Sequence, residues 1–105
     1  MSSTYNQVTL AGNLIKDPVM KTIGRKTKAS FVIACQRNNR NEPMPTIDYF
    51  NIIAWGKLAE ISSEYLKAGM RVQVDGSLSI RQEGKLWLTE ITTTNIKFLK
   101  TESEK

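Results

Sequence analysis

Tyr49-Phe50-Asn51-Ile52-Ile53-Ala54-Trp55-Gly56-Lys57-Leu58-Ala59-Glu60 decides how the rest of the chain reads. An aromatic, β-prone run ends at a glycine, and a helical pattern starts at once. β-Branched and aromatic side chains suit a half-buried strand, so Thr46–Trp55 is expected to be one. Beyond Gly56, Leu58, Ile61, Ser62, Tyr65 and Leu66 fall at helical spacing on one face. This predicts a helix over Lys57–Lys67, with Tyr65 in the core and Gly69 free to close the helix in the left-handed conformation. Tyr49 and Trp55 share a face of the strand, about 20 Å apart at ~3.3 Å per residue, with Asn51 and Ile53 between them. Two rings so placed either pack into a core or offer stacking surfaces to bases. The strand pattern alone leaves both readings open.

Working outward, Gln7–Ile15 alternates as a first strand, and Gly12 within it signals a bulge or a close backbone approach. Asp17-Pro18 ends that strand. Lys21–Lys28 reads as a basic turn around Gly24, and Ala29–Gln36 as a second, apolar, central strand. Arg37–Pro45 is a polar loop whose two prolines forbid regular pairing. After the helix, Arg71–Arg81 is the fourth strand, and Glu83-Gly84 marks a tight hairpin. Leu86–Leu99 supplies the last strand or two, bent near Thr92-Thr93-Thr94. The expected class is all-β with one helix. Five strands with the helix between strands 3 and 4 is the order of an OB-fold, a Greek-key barrel that often binds oligonucleotides. Other small barrels with one helix fit the same pattern. Residues 1–100 form the expected domain, and 101–105 a short, charged, mobile tail.

Composition narrows the chemistry. The 105 residues suit one domain with a working core. There is no histidine and a single cysteine, Cys35, read as a buried structural thiol. Histidine triads, zinc sites built on Cys and His, and an intrachain disulfide are thereby excluded. Asp17, Asp48 and Asp75 are isolated acids that suit turns and strand edges, so no metal and no cofactor is expected. No phosphate-binding glycine loop is present, and the expectation is a protein that is not an enzyme. No apolar run approaches a membrane span, and the N-terminus has no signal-peptide pattern. The default is a soluble, cytoplasmic protein without a membrane partner. The net charge of +5 is unevenly placed: residues 16–40 carry seven cations against Asp17 alone. Such a stretch points to a polyanion, nucleic acid before a membrane surface.

Four pieces in order then resemble one family, the bacterial-type single-stranded DNA-binding proteins. Val8-Thr9-Leu10-Ala11-Gly12-Asn13-Leu14 with Asp17-Pro18 is similar to its opening strand and turn. Phe31-Val32-Ile33-Ala34 resembles its second strand, and Tyr49 through Leu66 its most recognisable segment. Val72 through Leu78, Arg81 and Leu88-Thr89-Glu90-Ile91 resemble its closing strands. The likeness spans residues 5–99.

The resemblance implies an OB-fold that coats single-stranded DNA with little sequence preference, in replication, recombination or repair. It implies a homo-oligomer, with a tetramer favoured over a dimer, in the nucleoid-associated cytoplasm. Tyr49 and Trp55 match two of the family's stacking positions. Lys57, Arg71 and Arg81, with Lys26, Lys28, Arg37 and Arg40 of the basic segment, are the candidate phosphate contacts. The loop after the second strand lacks the family's usual ring. Trp87 stands near another ring position that is otherwise missing, and serves either for stacking or for cross-strand packing. The acidic tip with which longer members recruit replication or repair proteins is absent, so partner recruitment is in doubt. The alternatives are a dimeric bridging module resembling primosomal replication protein N, an RNA-binding OB-domain, and a partner-binding barrel.

Overall fold

The structure, a computed structural model, describes residues 4–37 and 43–99. Its elements are β1 (Val8–Leu14), β2 (Val19–Ile23), β3 (Lys26–Arg37), β4 (Thr46–Trp55), α1 (Lys57–Tyr65), β5 (Arg71–Glu83) and β6 (Leu86–Leu99). They form one sheet in the order β1-β5-β6-β4-β3-β2. The far half of β3 also pairs with β1, Asn13 opposite Ala34 and Leu14 opposite Ile33, and this closes a five-stranded barrel. β4 and β6 run parallel and meet at Ile52–Ile91 and Ile53–Thr92. Closure brings backbones together at Gly12, where any Cβ would sit 2.5 Å from the Ala34 carbonyl oxygen. The glycine inside the first strand is therefore a close-approach site.

Alternation along the strands sends Phe31, Ile33, Ile52, Val72, Val74 and Ile91 inward, where they form one core with Leu14 and Leu66. Each contributes about 1.5–3 kcal/mol through burial. Helix α1 lies over β3 and β4, and its Ala59 packs against Ala29 and Ala54, all three fully buried. Small side chains at that contact let the helix approach the sheet closely. Leu66, at the helix C-cap, turns extended and is itself completely buried. The next residues are pinned to the end of β1: Gly69 N–H donates to Leu14 O, and Leu14 N–H to Met70 O. Asp17 Oδ1 accepts the Ala68 N–H at 2.8 Å, so that acid is structural.

The sequence expectations differ from the structure in four places. Lys21–Lys28 is a hairpin rather than a turn: β2 pairs with β3 from Val19–Ser30 to Ile23–Lys26. Every residue of β2 is exposed, so no burial pattern marked it as a strand. The sheet consequently has six strands, and the helix falls between β4 and β5. The Gly24-Arg25 turn repeats the Gly84-Lys85 turn of the β5–β6 hairpin, each with a glycine at φ near 60° in the first central position, as type II′ turns require. The helix ends at Tyr65 rather than Lys67, and Tyr65 is exposed rather than in the core. Gly69, at φ 90°, serves the following turn, where Met70 N–H donates to Lys67 O. Cys35 is only half-buried, and its thiol donates to Ala11 O at 3.2 Å. Burial, with Asp48 nearby, pushes that thiol above its ordinary range.

The expected bend in the last strand is present. Asp75 faces Asn95 while Gly76 faces Thr93, which leaves Thr94 as the extra residue of a bulge. The Thr93 hydroxyl donates to Asp75 O at 2.9 Å. Asp75 accepts from Thr9 Oγ1 and Asn95 Nδ2, tying three strands together. The Thr9 bond first, then the Asn95 bond, holds its carboxyl below the usual range.

Candidate nucleic-acid interface

The strand register builds one outer face from β2, β3 and β4. Directly opposed residues of an antiparallel pair point to the same side. Across β3, Lys28 faces Trp55, Ser30 faces Ile53, Val32 faces Asn51 and Ala34 faces Tyr49. Lys21 on β2 then faces Lys28. At the other end, Ala34 faces Asn13 and Asn13 faces Arg71, so Arg71 lies three strands from Tyr49 in the same row. That is about 14 Å at the usual interstrand spacing.

Both rings belong to this face. Tyr49 is 62% exposed and Trp55 40%, so neither is core. Two ammonium groups stand over the indole: Lys28 Nζ is 5.7 Å and Lys26 Nζ 6.0 Å from its centroid. Exposed cation–π contacts of this kind contribute roughly 0.5–1 kcal/mol and orient the ring. Among the described residues, Lys26, Lys28 and Lys57 form no ion pair. The chain turns sharply at Gly56, φ 64°, whose N–H donates to Thr27 O at 2.8 Å. This turn leaves an open cavity of about 530 Å³ beside Trp55, lined also by Arg25, Lys26, Lys57 and Glu60. A second concavity, about 330 Å³, continues along the face past Ile53 and Asn51 to Arg81, Leu88 and Glu90.

The structure thus brings Tyr49, Trp55, Lys26, Lys28 and Lys57 onto one face, with Arg71 at its edge. It does not bring the other candidates there in the same way. Arg81 lines the second concavity, but its guanidinium is engaged, Nη1 with Glu83 at 2.9 Å and Nη2 with Glu90 at 3.3 Å. Those acids, Glu90 first, push its pKa further up. Arg37 alternates to the opposite side of β3 and holds Asp48 in a two-pronged contact, Nε–Oδ2 3.1 Å and Nη2–Oδ1 2.8 Å. Trp87 is 68% exposed, yet it opposes Gln82 on the side of the hairpin away from Arg81 and Leu88. Arg40 lies outside the described residues. Glu60 was not among the sequence candidates, and no spacing pattern pointed to the cavity it helps to line. Among the described residues no cluster of three His, Cys, Asp or Glu could hold a metal ion, and no helix is long and apolar enough to cross a membrane.

A closed five-stranded Greek-key barrel with an exposed aromatic and cationic face defines the OB-fold class of oligonucleotide-binding domains. Within that class, residues 5–99 match the single-strand binding protein family, and the chain belongs to it. It is 37% identical to a single-stranded DNA-binding protein of Caldanaerobacter subterraneus, an alignment covering 93% of this chain and 70% of that one. Single-stranded DNA-binding protein 1 of Clostridium acetobutylicum is 31% identical, with 94% and 97% covered. Among solved structures, the Plasmodium falciparum SSB complex with ssDNA superposes with a TM-score of 0.85 at 26% identity, covering 95% of this chain and 99% of that one.

Proposed function

We propose that this protein binds single-stranded DNA with little sequence preference, by stacking and phosphate contact, in replication, recombination or repair. The observation that carries the reading is the juxtaposition of exposed Trp55 with Lys26 and Lys28, on the same face as exposed Tyr49. A base stacking on the indole would take over ring surface now shared with the ammonium groups. Those groups would then be free to follow the phosphates on either side. No bond is made or broken in such binding. Stacking contributes ~1–3 kcal/mol per base and tolerates any base, while the lysines supply the salt-dependent part. The reading includes a homo-oligomer, four domains favoured over two, which places several such faces on one strand and raises their effective concentration. The family membership and the exposed apolar arm of β5 and β6 support that assembly. A cytoplasmic, nucleoid-associated location follows from the same reading.

The test is a fluorescence titration of a Trp87→Phe variant, in which Trp55 is the one remaining tryptophan. Quenching by oligo-dT, with little response to duplex DNA of equal length, is the expected result. Equal, weak responses that vanish as salt rises would leave only a basic surface and sink the stacking mechanism.

A further inference from the structure

The cavity beside Trp55 contains one group that a general phosphate-tracking surface does not need. Its charged lining is Arg25, Lys26 and Lys57 on one hand and the Glu60 carboxylate on the other. Among the described residues Glu60 makes no ion pair. The two acids in the neighbouring concavity are both engaged, Asp17 by the Ala68 N–H and Glu90 by Arg81. The opening, about 530 Å³, is of the size that admits a small ligand or a nucleotide.

We propose that this cavity receives guanine in preference to the other bases, with Glu60 reading its edge; the inference rests on the single-strand binding reading above. A carboxylate repels phosphate, so a nucleotide entering here turns its phosphates to the cations and its base toward Glu60. The base lies against the Trp55 ring, and single-stranded bases have their Watson–Crick edges free. A carboxylate has two acceptor oxygens and no donor. Guanine alone presents two adjacent donors on that edge, N1–H and the exocyclic N2 amine. Cytosine and adenine set an acceptor beside their amine, and thymine flanks its one N–H with carbonyls. Each of these turns a lone pair toward the carboxylate. The strand as a whole is bound without regard to sequence, and this one position adds a preference.

The experiment compares oligo-dT with an oligonucleotide of equal length carrying isolated guanines, and with a third in which hypoxanthine, which lacks the exocyclic amine, replaces guanine. Affinities are measured by fluorescence anisotropy for the wild type and for Glu60→Gln. The variant presents an amide N–H where guanine presents its second donor, and it keeps a good helix former in an exposed position; circular dichroism checks its fold. The wild type is expected to favour the guanine oligonucleotide by about fivefold, the low end for one two-pronged base contact, and to lose most of that preference with hypoxanthine. Glu60→Gln is expected to bind oligo-dT at least as tightly and to show no guanine preference. A wild type without preference, or an equal preference in the variant, would overturn the guanine site and leave single-strand binding intact. Failure of the wild type to bind any of the three would overturn both.

Discussion

The outer face of β3 and β4 and the projecting β5–β6 hairpin look alike in composition. Each exposes a tryptophan, and each has a cation that the sequence offers for phosphate. They differ in what surrounds those groups. Lys26 and Lys28 have an indole beside them and, among the described residues, form no ion pair, so their charge is available. Arg81 has Glu83 and Glu90, and its charge is neutralised where it stands. Trp55 borders a cavity lined by three cations, while Trp87 shares its side of the hairpin with Ile80 and Leu78, both exposed and apolar. On the proposed reading, exposure alone therefore does not mark a base-stacking ring, and the state of the neighbouring charges does.

The strongest way to break the contrast is to remove rings from one region and then from the other. Tyr49→Ala with Trp55→Ala is expected to weaken oligo-dT binding by about 1–3 kcal/mol per ring. The thermal midpoint should fall only modestly, because both side chains are exposed and the main loss is the pair of cation–π contacts over Trp55, roughly 0.5–1 kcal/mol each. Trp87→Ala should leave the affinity of each domain within about twofold, since no base is expected to stack there. Anisotropy titrations and thermal melts read both. A weakening in the Trp87 variant equal to that in the double variant would erase the distinction.

The charges offer a second, smaller test. Reversal of Lys26 and Lys28 to glutamate should weaken binding to every sequence alike. It should also flatten the dependence of log K on log salt by about 0.7 for each phosphate no longer neutralised. An unchanged slope would show that these lysines serve the indole and not the strand.

Glu90→Gln should give the smallest effect, and in the opposite direction. Arg81 then keeps only its contact with exposed Glu83 and turns in part toward the second concavity, so affinity rises slightly at low salt and the slope steepens by up to about 0.7. Removing one partly exposed ion pair costs at most ~1 kcal/mol of stability. Weaker binding would mean that Glu90 holds Arg81 in its working position.

Much of this was legible in the chain because it depends on local pattern. The apolar run of Ala29–Gln36, the alternation of Arg71–Arg81, the helix after Gly56 and the bend near Thr93 all follow from spacing and side-chain shape. Gly12 was legible as a bulge or a close backbone approach, and the structure shows the close approach. β2 was illegible because its residues bury nothing: hydrogen bonds to β3 hold it, and those leave no trace in hydrophobic periodicity. Tyr65 misled for a related reason. Helical phase gave it the core face, but the helix ends there and the chain instead buries Leu66, the next residue.

The sequence by itself determined a barrel with one helix, the exclusion of sites that need histidine or a cysteine pair, and the two rings that share a strand face. Those are matters of composition and of a period of two, which any extended segment obeys. The tertiary structure decided which cations stay free and which are neutralised. Charge pairing joins residues distant in the chain, Arg37 with Asp48 and Arg81 with Glu90, and it depends on register and on which side of a strand each group occupies. It also placed Arg71 in the row of Tyr49 and Glu60 beside Trp55, because barrel closure and the turn at Gly56 bring those positions together.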